Sequence, residues 1–412
     1  MSESTPRIVI IGAGHAGGTV AALLRQYGHT GDIVLVGEEL IGPYQRPPLS
    51  KAYLKGDVDA ETLKLKPDEF YADHGITLRL GTSAEAIDRT ARRVALKGGG
   101  SLDYDLLILA TGSANRKITL PSAHAHDLHE LRSVADAEQL KSVLEHGKRL
   151  AIVGGGYIGL EAAASARALG ADAVILELAP RVLARVACEE LSTFFQDYHR
   201  AKGVKIVTGA QVLDLEHGPD GHVSGVRLAD GSQEACDVVL VGVGAMACSQ
   251  LAADAGLDCA NGVVVDSSAR TSDPSIFAIG DVAWRPMPLY DDRMHRLESV
   301  PNALEQAKQV ACAIVGRPQP APETPWFWSD QYDLKLQIAG VPFDADQRLI
   351  RGSVADAKFA IFHLQGDRIL AVEAVNAPAE FMAGRLMIGQ KRPVDRRKLT
   401  DMSVSMKEVA LA

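Results

Sequence analysis

The sequence predicts an α/β protein made of two Rossmann-like nucleotide-binding domains followed by a smaller α+β domain. Three observations predict it. The apolar run Leu150-Ala151-Ile152-Val153 leads into Gly154-Gly155-Gly156-Tyr157-Ile158-Gly159 and then an alanine-rich helical pattern. The run Arg7-Ile8-Val9-Ile10-Ile11 leads into Gly12, Gly14 and Gly17, followed by a second helical pattern. Four prolines between Pro318 and Pro325 then set off an ending with short strand-like stretches before one helix.

Each glycine set is a GxGxxG at a strand-to-helix turn. Such a turn lets backbone approach a pyrophosphate, which then rests on the unpaired N–H groups and positive end of the helix. Two copies in one chain imply two nucleotides side by side, one able to donate to the other.

Composition narrows the class. A chain of 412 residues with 47% hydrophobic content supports two or three domains with real cores. A formal net charge of -9 argues against non-specific binding to nucleic acid or anionic membrane. No apolar run reaches the roughly 18 residues of a membrane span. Met1 to Pro6 shows no basic region followed by an apolar core, so the expected compartment is the cytoplasm. The five cysteines, Cys188, Cys236, Cys248, Cys259 and Cys312, have neither CxxC nor zinc-type spacing. None precedes residue 188. The histidines His124, His126 and His129 fit no standard ligand spacing, so a polar loop and no metal site is expected there.

Along the first domain, Ile33-Val34-Leu35-Val36 is the second strand. Glu38 follows, 26 residues after Gly12, near the spacing of an acid that bonds a ribose hydroxyl. The proline-rich segment Gly42 to Lys51, including Arg46 and Pro47, suits a rigid wall against a flat ring, with Ser50 expected to cap a helix and Lys51 as its titratable end. Leu106-Leu107-Ile108-Leu109 is a buried strand that closes on Ala110, Thr111 and Gly112. Arg132 precedes a helical stretch from Asp136 to His146.

The second fold opens at Arg149. Its second strand ends at Glu177, 23 residues after Gly154. A carboxylate there accepts from both ribose hydroxyls and repels a 2'-phosphate, which favours NADH over NADPH, with Arg181 and Arg185 nearby tempering that preference. Val238 to Val241 is a buried strand ending at Gly242-Val243-Gly244. The chain then returns to the first domain. Ser275 to Ile279 runs into Gly280-Asp281, with Asp281 placed for a polyhydroxy chain. Glu298-Ser299-Val300-Pro301-Asn302 opens a helix to about Val315, whose positive end suits charge developing near a flavin pyrimidine ring. Strands are expected near Leu334–Ile338, Ala360–Leu364 and Leu370–Val375, then a helix from Ala379. Trp326 and Trp328 alternate, one toward the core and one toward the opposite side, with a place beside the flavin as the sharper reading for either.

The sequence resembles the FAD- and NADH-dependent ferredoxin reductases that serve cytochrome P450 and Rieske oxygenase systems. The resemblance spans the chain and is carried by Pro47 to Leu54, Gly154 to Glu161, Ala179 to Leu183, Thr271 to Pro274, Glu298 to Gln306 and Trp326 to Gln331. It implies a glutathione-reductase-like architecture: a discontinuous FAD domain (1–114 and 245–322), an inserted NAD domain (115–244) and a C-terminal α+β domain (323–412). By the same resemblance FAD meets Gly12, Gly14, Ala16, Gly17, Glu38, Arg46, Pro47, Lys51, Ser83, Ala84, Ala110, Thr111, Gly112, Arg132, Asp281, Val300 and Trp328. NADH meets Gly154, Gly156, Tyr157, Ile158, Gly159, Glu177, Gly242, Val243 and Gly244. Lys51 and Glu161 become the catalytic pair under the isoalloxazine. Ala245-Met246-Ala247-Cys248 departs from the family's usual Val-Ile-Pro-Asn.

The implied reaction is hydride transfer from NADH to FAD, then single-electron steps to a [2Fe-2S] ferredoxin feeding a cytochrome P450. A Rieske dioxygenase or rubredoxin as acceptor stays open. An NADH oxidase or peroxidase of the same architecture is the nearest rival; those that reduce peroxide, like the disulfide reductases, use a cysteine beside the flavin, and Leu40 to Lys51 has none. An apoptosis-inducing-factor-like role is disfavoured by the short final module and the lack of a targeting segment. An acidic ferredoxin needs a basic face. Candidates are Lys308, Lys407 and the cluster Lys391, Arg392, Arg396, Arg397 and Lys398.

Overall fold

A computed structural model describes residues 5–411 except 125 and 145. It divides into two compact units. One comprises residues up to Gln45, Glu61–Ala114 and Met246–Phe327; the other comprises Arg46–Ala60, Asn115–Ala245 and the chain from Trp328 on.

The first unit is centred on a five-stranded sheet in the order Ile276–Ala278, Leu106–Leu109, Ile8–Ile11, Ile33–Val36, Ile76–Arg79, with every pairing parallel. Both faces of the inner strands are covered, which is why Leu106–Leu109, Ile8–Ile11 and Ile33–Val36 are apolar at every position, while the edge strand Ile76–Arg79 alternates. Ile8 and Ile10 pack with helices His15–Gln26 and Val300–Val315 through Val20, Leu24, Ala307 and Val310. Val9 and Ile11 point the other way, into a cluster with Leu107, Leu109 and Ala278. Each fully buried aliphatic side chain contributes about 1.5–3 kcal/mol.

Helix Val300–Val315 begins where Ser299 Oγ accepts the Asn302 N–H at 3.3 Å, with proline in its first turn. It ends at Gly316 in the left-handed region, φ 71°. Both ends therefore follow from the sequence.

The second unit repeats the pattern. Its parallel sheet runs Lys205–Thr208, Asp172–Glu177, Arg149–Val153, Val238–Val241, Leu128–His129. Helix Tyr157–Ala168 is buried from Gly159 to Ala166, and its alanines explain how it packs so closely. The C-terminal part is a five-stranded sheet in the order Trp326–Gln331, Leu334–Gly340, Arg368–Val375, Lys358–Gln365, Gln347–Ser353. Helix Pro378–Gly389 covers it, and a Cβ at Gly384 would lie 2.9 Å from Val372 Cγ1.

Local differences from expectation have local causes. Ser50 does not cap a helix: it ends the 3-10 turn Pro47–Ser50, and its hydroxyl instead donates to the buried carboxylate of Glu161. The helix expected from Asp136 starts at Val134, because Ser133 and Asp136 form a capping box, and it stops at Val143. Trp326 and Trp328 are both half-buried rather than split between core and surface. The edge strand Gln347–Ser353 is an addition to the expected set; its alternating exposed residues carried too weak an apolar signal.

Candidate functional site

Gly12 holds φ +112°, and a Cβ there would meet Ala110 O at 2.1 Å. A Cβ on Gly17 would lie 1.9 Å from Gly12 O. Only glycine fits either place. Gly14 differs: a Cβ would meet nothing within 4 Å, so this glycine leaves an open cradle at the start of helix His15–Gln26. His15 is the first residue of that helix, and its buried Nδ1 has no hydrogen-bond partner. Burial lowers its pKa, with Asp281 acting weakly in the opposite sense, so the ring is neutral. An open cradle, unpaired helix N–H groups and an orphaned ring nitrogen fit a nucleotide pyrophosphate.

The other expected cofactor contacts of this unit surround the C-terminal ends of its strands. Glu38 is exposed just past Ile33–Val36. Ala16 is buried and faces Gly280, whose φ is +77° and whose N–H donates to Gln306 at 2.8 Å. Asp281 accepts the Ser113 hydroxyl at 3.0 Å. Ser83, before strand Ala84–Asp88, accepts the Lys97 N–H at 2.8 Å. Ala110 is buried, Thr111 Oγ1 donates to Cys248 O at 2.8 Å, and Cys248 N–H donates to Gly112 O at 2.9 Å. The departing segment is thereby pinned, at Cys248, to the turn that follows strand Leu106–Leu109. Val300 is half-buried in the first turn of its helix.

The second unit contains the same device. Gly154 has φ +110° with Gly242 O only 2.4 Å from a would-be Cβ, and Gly159 is blocked by Gly154 O at 2.3 Å. Gly156, the N-cap of helix Tyr157–Ala168, is open. Glu177 Oε2 accepts the Gly155 N–H at 2.6 Å and Oε1 the Ala179 N–H at 2.7 Å, which fixes the carboxylate beside the turn. Arg181 is committed to the carbonyls of Ala184 and Ala187 at 3.2 and 3.0 Å. Half-buried Val243 lies between Gly242 and Gly244, and Gly244 O accepts from Arg116 N–H at 2.9 Å. Ile158 is exposed, and the Tyr157 hydroxyl points toward Val186 O at 3.4 Å.

On the next turn of that helix, Glu161 is 2% exposed. Its Oε2 accepts Lys51 Nζ at 2.6 Å and Ser50 Oγ at 2.5 Å. Its Oε1 accepts Ser329 Oγ at 2.6 Å. Lys51 Nζ also donates to Pro47 O at 3.0 Å, and Arg46 donates to Arg132 O at 2.6 Å. Trp328, half-buried, precedes Ser329 in the same strand. Beyond Ser329 the bonds continue to Gln331 at 3.0 Å and to buried His199 at 2.8 Å. Ser329, Gln331, His199 and His15 went unnoticed in the sequence. His15 lay inside the first glycine motif, and Ser329 and Gln331 inside the Trp326 to Gln331 segment that carries the resemblance, without a role for any of them being read.

Of the basic candidates, Lys308 pairs with Glu323 at 3.3 Å, and Arg396 with Asp367 at 2.9 Å. Lys391, Arg392, Arg397, Lys398 and Lys407 are exposed. His126 and His129 do not join His124. Instead His124, Asp127 and His217 converge, with His217 Nε2 2.8 Å from Asp127 Oδ2.

Comparison with known proteins identifies this geometry. Residues 6–307 match the pyridine nucleotide-disulphide oxidoreductase family, and residues 326–410 match the reductase C-terminal domain. A probable ferredoxin reductase, CtmF, of Castellaniella defragrans is 53% identical over 99% of this chain and 100% of its own length. Putidaredoxin reductase in covalent complex with putidaredoxin superposes with a TM-score of 0.96, at 42% identity over 98% of both chains. A ferredoxin reductase for the CYP199A2 system of Rhodopseudomonas palustris superposes at 0.93, at 40% identity over 98% of this chain and 99% of its own. The chain belongs to the pyridine nucleotide-disulphide oxidoreductase family, among its ferredoxin reductases. It is an FAD-dependent oxidoreductase that uses a nicotinamide nucleotide. Among the described residues, no helix is long and apolar enough to cross a membrane.

Proposed function

We propose that this chain carries electrons from NADH through FAD to a [2Fe-2S] ferredoxin that serves a cytochrome P450. The single observation that carries the reading is the helix Tyr157–Ala168, which begins at the open Gly156 cradle and holds Glu161 on its buried side. FAD, when bound, supplies the conversion of one two-electron step into two one-electron steps. Everything else is placement and electrostatics.

We assign the FAD-binding domain to 1–114 and 245–322, the NAD-binding domain to 115–244 and the C-terminal domain to 323–412. Gly12, Gly14, Ala16 and Gly17, with Glu38, Ser83, Ala84, Ala110, Thr111, Gly112, Asp281, Val300, Arg46, Pro47, Arg132 and Trp328, hold FAD. Gly154, Gly156, Tyr157, Ile158, Gly159, Glu177 and the turn Gly242 to Gly244 hold NADH. Lys51 presents a positive charge whose position is fixed by Glu161 and by the Pro47 carbonyl. No cysteine precedes residue 188, so the chain lacks the dithiol that a disulfide reductase of this family would need.

Glu177 favours NADH because its carboxylate meets ribose hydroxyls and repels a phosphate. Arg181, the natural counter-charge, is bonded to its own loop. The exposed cations of 391–398 and Lys407, with Lys308 on the helix Val300–Val315, supply the face for an acidic ferredoxin. A cytoplasmic location agrees with five cysteines that are all thiols.

The test is NADH-driven reduction of cytochrome c by the purified holoprotein, with and without added [2Fe-2S] ferredoxin. Reduction that depends on the ferredoxin supports the reading. Equal rates without it would sink it.

A further inference from the structure

We propose that Cys188, His363 and Glu373 form a metal site for a zinc-class divalent cation, apart from the nucleotide and flavin sites. Cys188 is the N-cap of helix Glu189–Ala201. His363 and Glu373 lie on the neighbouring antiparallel strands Lys358–Gln365 and Arg368–Val375. The register pairs His363 with Ala371 and Ile361 with Glu373, which makes the two side chains diagonal neighbours on one face.

All three residues are buried: Cys188 is 8% exposed, His363 4% and Glu373 2%. One ligand atom from each lies within 4.8 Å of the others. Cys188 donates twice to Glu373, from its N–H at 3.1 Å and from Sγ at 2.8 Å. His363 Nε2 is 3.4 Å from Glu373 Oε2, yet it makes no hydrogen bond and no other partner takes it up. A buried polar atom left in this way costs about 1–3 kcal/mol. The nitrogen lies within 4.8 Å of a sulfur and a carboxylate, the two groups that would share a metal with it.

The distances suit the ion. A tetrahedral zinc with bonds of about 2.0–2.3 Å holds its ligands roughly 3.5 Å apart, close to the spacing already present. The ligand set is one sulfur, one nitrogen and one oxygen, which favours borderline-soft zinc over calcium or magnesium. Charge also balances. A thiolate and a carboxylate neutralise a divalent ion beside a neutral imidazole, so the buried site carries no net charge. Without metal the thiol donates its proton in a hydrogen bond to Glu373 Oε2. Binding therefore exchanges the Sγ–H bond for a metal–sulfur bond and releases that proton to solvent. Bound there, the ion ties the start of helix Glu189–Ala201 to the C-terminal sheet.

The experiment uses the holoprotein equilibrated with zinc chloride and dialysed. Zinc per chain is then measured, together with X-ray absorption at the zinc edge. The expected result is one retained zinc with one sulfur neighbour at about 2.3 Å. Both Cys188→Ser and His363→Gln should lower zinc affinity at least tenfold. Should Cys188→Ser fail to fold, His363→Gln and the wild-type spectrum decide the matter. No retained zinc would overturn the proposal, as would a shell of nitrogen and oxygen only, which would place the ion at His124, Asp127 and His217.

Discussion

Ser329 donates its hydroxyl to Oε1 of Glu161 at 2.6 Å, while Ser50 and Lys51 share Oε2 at 2.5 and 2.6 Å. The carboxylate is 2% exposed, so these side chains replace water around a buried charge. Ser329 in turn accepts from Gln331 Nε2, and the Gln331 carbonyl accepts from His199 Nε2. That direction fixes the proton of His199 on Nε2 and leaves Nδ1 bare and without a partner.

Ser329→Ala removes the hydroxyl donor from Oε1 without changing charge. Leaving a buried carboxylate oxygen short of that donor should cost about 1–3 kcal/mol. Urea unfolding monitored at fixed pH checks the value; Ser329→Thr, which keeps the hydroxyl, should recover most of it.

His199 makes stability pH-dependent. Burial lowers its pKa from 6.5 to about 4, with the Gln331 bond opposing. The unfolded chain takes up a proton below about 6.5 and the folded chain only below about 4, so the contribution is complete above pH 6.5 and is lost as pH falls toward 4. The full loss amounts to about 3 kcal/mol. His199→Asn should flatten the stability profile across that window. An identical slope in variant and wild type would show that His199 is not responsible.

The glycines of the second turn should separate by role. Gly154→Ala must place its Cβ 2.4 Å from Gly242 O at φ +110°, so the domain should be severely destabilised or fail to fold. Gly156→Ala meets no protein atom within 4 Å and should still fold, at a cost of about 1 kcal/mol for the poorer N-cap. Its methyl group occupies the pyrophosphate cradle instead, so KM for NADH should rise about tenfold or more. Equal KM values would remove that cradle from nucleotide binding.

Both nucleotide turns were legible in the sequence because their geometry admits only glycine at Gly12, Gly17, Gly154 and Gly159, which leaves a fixed spacing in the chain. The helix Val300–Val315 was legible through its early proline, whereas the Ser299 cap and the closing Gly316 emerged only with the fold. The Lys51–Glu161 contact was reached through family resemblance, since nothing in their separation of 110 residues announces it. The contacts of Ser329, Gln331 and His199 were not legible: each is an ordinary polar residue until the fold excludes water from it. Cys188, His363 and Glu373 were missed likewise, because a cluster assembled from a helix start and two strands has no ligand spacing to read. The histidine loop was read as lacking a ligand set, and its actual partners for His124, Asp127 and His217, come from a turn and from a strand elsewhere in the chain.

The central claim is that Lys51, held by Glu161 on the helix that starts the NADH turn, tunes the acceptor for that donor. It is tested most directly by mixing NADH with the FAD-loaded Lys51→Met variant in a stopped-flow instrument and following the bleaching of the flavin band. The account predicts reduction slowed by about tenfold, equivalent to about 1.4 kcal/mol in the barrier, with Lys51→Arg recovering part of the rate. A reduction rate equal to wild type in Lys51→Met would contradict it.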